Sequence, residues 1–283
     1  MTIDAKQLQA RRGYESRAAL GILLQDLDQS EKVLIEIAAL RRKIGIFAAL
    51  SALTGLVSAV AASAAKNSAL SFVAFVAFTL FIVLIVYLMV QGRGLHKNRD
   101  RIAIAQDLLK TLQHDAHARS AFSVRLELKA QPMLVREDPW DARRNGKQRL
   151  FEEEFLSVQG ELLDGTALKE TVTELTWKRT YTNQNRKTKT KIRNRYVVEL
   201  RFAYPQDLYG DARLAAASLQ EEIKLPSSAT LRNTRVTEKA IVVKALVNLK
   251  QDIVQTSAML SLGGYRILNL ARRVTQSGAR GTA

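Results

Sequence analysis

Residues 44–65 read IGIFAALSALTGLVSAVAASAA and residues 69–90 read ALSFVAFVAFTLFIVLIVYLMV, two uncharged apolar runs parted only by Lys66-Asn67-Ser68. Each is slightly longer than about 20 residues, which at about 1.5 Å per residue crosses the roughly 30 Å hydrocarbon layer of a bilayer. Two spanning helices are therefore expected. The short link, and the need to satisfy backbone groups within each helix in lipid, make the pair an antiparallel transmembrane hairpin. The alternative is a pair of core helices in a soluble protein, for which the runs are long.

Arg41, Arg42 and Lys43 abut the first run, and Arg93, Lys97, Arg99 and Arg101 follow the second, whereas the link carries Lys66 alone. The positive-inside rule then puts both termini in the cytoplasm, so the expectation is a multi-pass protein of a cell inner membrane. The apolar sequence begins behind a charged segment, which argues against a cleaved signal peptide. In the first run Ala48, Ala52, Gly55, Ala59 and Ala62 recur beside Ser51, Thr54 and Ser58. Such a face permits close helix packing or lines a wet path, and Ser51, Thr54, Gly55 and Ser58 are the pore-lining candidates. The second run, with Phe72, Phe75, Phe78 and Phe81, reads as lipid-facing.

The 283 residues leave room for one soluble domain besides the hairpin. A formal charge of +16 exceeds what the hairpin flanks supply, so the surplus belongs to the soluble part and favours phosphate-rich partners or anionic lipid. No cysteine is present, which excludes disulfides, thiolate metal sites and a cysteine nucleophile.

The sequence divides into N-terminal cytoplasmic helices (1–43), the hairpin (44–91, spans 44–65 and 69–90), a connecting helix (92–118), an α+β ligand-binding domain (119–274) and a disordered tail (275–283). Residues 4–40 read as helical, with a break or cap at Asp28-Gln29-Ser30. Ile102, Ala105, Leu109 and Leu112 make an apolar stripe on the connecting helix, matched to stripes around Leu20–Leu27 and Val33–Leu40; the helices either bundle or lie flat on lipid.

From residue 119 the period changes: Phe122, Val124, Leu126 and Leu128 alternate with polar residues, the mark of a half-buried strand. Turn signals at Asn145-Gly146 and Asp164-Gly165 precede a long hairpin of residues 166–182 and 188–204, ended by Pro205. A short helix at 211–223, strands at 230–236 and 240–247 and a helix at 251–273 follow, the last weakened or kinked at Gly263-Gly264. The fold class is α+β, N-terminal helices and a two-helix transmembrane hairpin followed by a cytoplasmic, mainly antiparallel sheet with flanking helices.

Residues 177–196 hold Lys178, Arg179, Arg186, Lys187, Lys189, Lys191, Arg193 and Arg195 without one acid. Strand alternation projects Lys187, Lys189, Lys191, Arg193 and Arg195 from one side, at about 7 Å spacing that approximates the stride of phosphates on a single strand. Trp177, Tyr181 and Tyr196 supply rings on which unpaired bases stack. Lys187, Lys189, Lys191, Arg193, Arg195, Arg179, Trp177 and Tyr181 are thus the nucleic-acid-binding candidates. The same stripe would also suit anionic headgroups, or guard a solvated strand edge. Tyr265, Arg266, Arg272 and Arg273 suggest a second basic edge.

An enzyme is not expected, and no catalytic residue, metal ligand or cofactor is assigned. His114 and His117 would share a helix face but lack further ligands; Glu152, Glu153 and Glu154 are consecutive and diverge. No G-x-S-x-G, G-x-x-x-x-G-K-[ST] or H-E-x-x-H motif occurs.

With Arg41-Arg42-Lys43 leading into the first run and the basic strand 187–195, the layout resembles two-span SLATT-like membrane effectors of bacterial anti-phage defence, in particular the Hailong-type DNA-gated channel subunits. The resemblance implies an oligomeric, tetrameric inner-membrane ion channel held shut by single-stranded DNA, with an oligonucleotide or cyclic nucleotide as related ligands and a nucleotidyltransferase as partner. The competing reading is a non-conducting scaffold that tethers nucleic acid, anionic lipid or a protein.

Overall fold

The computed structural model describes residues 13–65, 68–92, 95–128, 132–141, 146–182 and 187–280. They fall into two compact units, one of residues 29–99 and one joining the residues up to 28 with those from 100 onward. The second unit is built on eight strands: β1 (Gly13–Ala19), β2 (Ala121–Glu127), β3 (Met133–Asp141), β4 (Gly146–Glu161), β5 (Ala167–Thr182), β6 (Thr188–Ala203), β7 (Ala229–Val236) and β8 (Ala240–Val247). Their order is β1-β2-β4-β5-β6-β8-β7, with β3 on the free flank of β4, and all these pairings are antiparallel. The helices are α1 (Leu20–Ala65), α2 (Ser68–Gly92), α3 (Leu95–Gln113), α4 (Gln206–Tyr209), α5 (Leu219–Glu222) and α6 (Ile253–Arg280). The chain is thus α+β, with a long apolar helix near its N-terminus and a mainly antiparallel sheet.

The sheet carries its helices on one face. Phe122, Val124 and Leu126 of β2, Leu168 and Val172 of β5, and Val198, Leu200 and Phe202 of β6 are buried, and the residues between them look outward, as a half-covered sheet requires. Ile253, Leu260, Ile267 and Ala271 form the buried stripe of α6. A Cβ at Gly264 would lie 2.8 Å from the Phe202 ring and one at Gly263 2.5 Å from the Ile223 side chain, so the glycine pair permits close approach. The pair does not split the helix: α6 runs unbroken from Ile253 to Arg280.

Three further expectations are corrected. Gly13–Ala19 is a strand, not helix, pairing from Gly13↔Glu127 to Ala19↔Ala121; a partner about a hundred residues away leaves no trace in local periodicity. Residues 28–30 do not break the helix, because α1 runs straight through them with Ser30 buried. The C-terminal segment is helical as far as Arg280, and residues 281–283, like 1–12 and Asn145, lie outside the described residues. The unit limits fall inside α1 and α3 because Leu20, Leu23 and Leu27 on one, and Ile102, Ala105, Leu109 and Leu112 on the other, are buried in the sheet unit.

In the other unit α1 and α2 touch at Gly55, where an added Cβ would sit 3.4 Å from Ala77 Cβ and 3.5 Å from the Ala74 carbonyl oxygen. Among the described residues one helix, Leu20–Ala61, is long and apolar enough to cross a membrane; Ser71–Val86 is a shorter apolar run. Phe47, Leu56, Phe72 and Phe75 are each more than half exposed.

Candidate nucleic-acid interface

β5 and β6 pair without a bulge, setting Tyr181 opposite Lys189, Arg179 opposite Lys191, Trp177 opposite Arg193 and Leu175 opposite Arg195. Directly paired residues share a face, so Trp177, Arg179 and Tyr181 lie beside Lys189, Lys191, Arg193 and Arg195 on the side away from α6. Lys187 is exposed immediately before β6. The cations and rings interlock: Lys191 Nζ stands 5.9 Å from the Tyr181 ring centroid and Arg195 Cζ 5.5 Å from that of Trp177. Arg179 Nε donates to Gln148 Oε1 at 2.7 Å. Trp177, Arg179, Lys191, Ile192, Arg193 and Arg195 line a groove of about 460 Å³.

The charge in this groove is uncompensated at its inner end. Among the described residues Arg193 and Arg195 have no carboxylate within ion-pair distance, and Arg195 Nε is buried without a hydrogen-bond partner. Burial, then the like charges of Arg193 and Arg232, hold the Arg195 guanidinium below its ordinary range. Arg232 is the residue that sequence reasoning missed. It comes from β7, at an irregular step of the β7–β8 register between Leu231 and Asn233, and no local pattern couples it to β6.

The basic half of β6 is also an edge. Pairing with β8 begins at Tyr196↔Val247, so Thr188–Arg195 have β5 on one side and, among the described residues, no strand on the other. On the helix-bearing face just inside this edge, Arg101 of α3 is 3% exposed and is held by Glu153 at 2.5 Å, Glu174 at 2.9 Å and the Glu127 carbonyl at 2.8 Å, stacked 4.8 Å from the Phe155 centroid. Asn194 Nδ2 donates to the other oxygen of Glu174 at 3.0 Å, so this network reaches the basic strand itself.

Other candidates are absorbed elsewhere. Glu153 belongs to the Arg101 network. α3 stops at Gln113, so His114 and His117 sit exposed in the following turn and do not share a helix face. Among the described residues no group of three or more His, Asp or Glu could hold a metal ion. Of the second basic edge, the Tyr265 hydroxyl donates to Asp164 at 3.3 Å and its ring packs edge-on against Phe202, Arg266 pairs with Glu222 at 3.6 Å, and Arg266, Arg272 and Arg273 are exposed. Gly55 is taken up by packing against α2. Ser51 donates to the Phe47 carbonyl at 2.9 Å and Thr54 to that of Leu50 at 3.0 Å, while Ser58 is half-buried. Ser51 and Thr54 also line an apolar groove with Phe72, Val73 and Val76 of α2.

Comparison of the chain with protein-family models, with curated proteins and with solved structures finds no match.

Proposed function

We propose that this chain is a two-span inner-membrane effector whose cytoplasmic sheet captures a single-stranded nucleic acid, and that capture gates a pore formed by several copies. The observation that carries the reading is one sheet face on which Lys189, Lys191, Arg193 and Arg195 alternate across the hairpin with Tyr181, Arg179 and Trp177. Cations track a phosphate backbone and rings stack its bases, a combination without sequence preference. The membrane part of the reading draws on helices whose large apolar side chains, such as Phe47, Leu56, Phe72 and Phe75, are exposed, and on hydroxyls at Ser51, Thr54 and Thr79 that bond back to their own helix, as side chains in lipid must. Two spans enclose no water-filled path, so conduction requires a ring of copies.

The test uses the full chain in detergent and then in proteoliposomes. Nucleic acid should co-purify, seen as an elevated 260/280 nm absorbance ratio and sized after release. Dye leakage should respond to added oligonucleotide, and replacing Lys187, Lys189, Lys191, Arg193 and Arg195 by glutamine should abolish both effects. Binding without any leak under any ligand condition leaves a scaffold and removes the channel.

The open β6 edge favours a second reading, in which the cations only keep copies of the chain from pairing edge to edge. Under that reading the glutamine variant aggregates and no oligonucleotide binds the parent protein.

A further inference from the structure

The geometry points to a longer footprint: Lys169 and Arg201 form a second cation site for the same single strand, in line with the basic half of β6 and on the same face of the sheet. This deepens the reading above and rests on it for the identity of the ligand. β6 pairs with β5 without a bulge from Thr188 to Ala203, so its odd-numbered residues share one side along the whole strand. Val198, Leu200 and Phe202 are buried on the helix-bearing face, which puts Arg201 on the outer face with Lys189, Lys191, Arg193 and Arg195. Pairing with β8 lies in the plane of the sheet and does not cover this face, where Arg201 is exposed. Lys169 of β5 lies directly opposite Arg201 and is exposed as well. Among the described residues neither has a carboxylate within ion-pair distance. Like charges set directly opposite destabilise a sheet, and two exposed side chains recover little from packing; a phosphate supplies the counter-charge that the pair lacks. The row runs on through Arg201↔Val242 and Val242↔Arg235 to a further exposed cation, Arg235. Between the two sites the track is neutral, because Val197 is apolar and Glu199 is held by Lys244 at 2.8 Å. At about 3.4 Å per residue, Lys187 to Arg195 spans about 27 Å and Arg195 to Arg201 about 20 Å. A strand that keeps step with alternate residues, one phosphate per roughly 7 Å, covers the hairpin cations with its first five phosphates or so and reaches Arg201 with about the eighth.

The experiment uses the full chain in uncharged detergent and labelled, hydroxyl-ended oligothymidylates that carry about five, seven and eight phosphates, a hexamer, an octamer and a nonamer. Binding is followed by fluorescence anisotropy as a function of salt. The number of registers open to an oligomer changes its affinity but not its salt slope, so the slope counts contacts. The hexamer and octamer should share one slope, because the added phosphates of the octamer lie over the neutral interval. The nonamer should be steeper by about 1.4, two contacts at about 0.7 each, and so lose about sevenfold more affinity between about 50 and about 200 mM salt. Lys169→Gln together with Arg201→Gln should bring the nonamer's slope to that of the hexamer measured on the same protein. Both positions are exposed and the change removes a like-charge contact, so the fold is retained. One slope for all three lengths, or an extra slope that the double substitution leaves in place, overturns the second site while strand capture by the hairpin stands. If no oligomer of any length binds, both are overturned.

Discussion

The most direct consequence of the basic face is its salt dependence. Arg179, Lys187, Lys189, Lys191, Arg193 and Arg195 supply the cations along the hairpin. A single strand that contacts all of them releases counterions with a slope of log K against log salt of about −0.7 per contact, so about −4 in total. Raising salt from about 50 to about 200 mM should then weaken binding about 300-fold. Replacing Lys189 and Lys191 by glutamine removes two contacts, bringing the slope to about −3 and the loss over the same range to about 50-fold. Stacking on Trp177 and Tyr181 is insensitive to salt and remains in both proteins. The assay is fluorescence anisotropy of a labelled oligothymidylate titrated with the full chain in nanodiscs of zwitterionic lipid, which removes headgroup competition. A slope shallower than about −1.5, or one that the double substitution leaves unchanged, refutes the assignment of these cations to a phosphate track.

Three predictions concern what holds the face in place. Burial pushes the Glu170 carboxyl from 4.5 up to about 7, with the Ser257 hydroxyl pulling it back. The folded chain then keeps a proton that the unfolded chain has lost between those values, so stability falls as pH rises through that window, by about 3 kcal/mol in all; Glu170→Gln should flatten this dependence in thermal melts and raise Tm at pH 8 relative to the parent. Arg101→Met leaves Glu153 and Glu174, both buried, without their cation and should cost about 3–5 kcal/mol, while adding Glu153→Leu and Glu174→Leu should recover much of it; denaturant titration of the purified full chain decides. Gly160→Ala would set a Cβ 2.2 Å from the Phe122 ring and should cost about 1–3 kcal/mol, read in the same titration, because an aromatic ring buried between strands has no room to withdraw.

What was legible in the sequence follows from which forces are local. The long β5–β6 hairpin, the β7–β8 pair and the stripe on α3 each announce themselves within about twenty residues, by period two or by period 3.6. The shared face of Lys189, Lys191, Arg193 and Arg195 was readable for the same reason, since it requires only an unbulged strand. β1 was not readable, because its partner lies at residues 121–127 and its own Tyr14-Glu15-Ser16-Arg17 alternation merges into helix-forming alanines and leucines. Gly263-Gly264 was misread for a related reason. A helix-weakening pair becomes a fitting surface only when Phe202 and Ile223 come to lie against it. Arg232 and the Arg101 network join residues from different strands and from α3, and nothing in one stretch of sequence couples them.

Magnitudes help to weigh edge protection against ligand capture. Charges about 7 Å apart repel by roughly 0.6 kcal/mol in water, so the successive cations of the β6 face cost the hairpin on the order of 2 kcal/mol before any salt is added. One or two lysines suffice to deter edge pairing, and the first open positions of the edge already supply them. Arg195 lies further in, half-buried with its guanidinium 5.5 Å from the Trp177 ring centroid, whereas Arg193 is exposed. A guard for the open edge accounts for these charges as well, but not for the Trp177 and Tyr181 rings interleaved with them. A polyanion laid on the face relieves the repulsion along its whole length, and its bases find the rings a bare guard does not need.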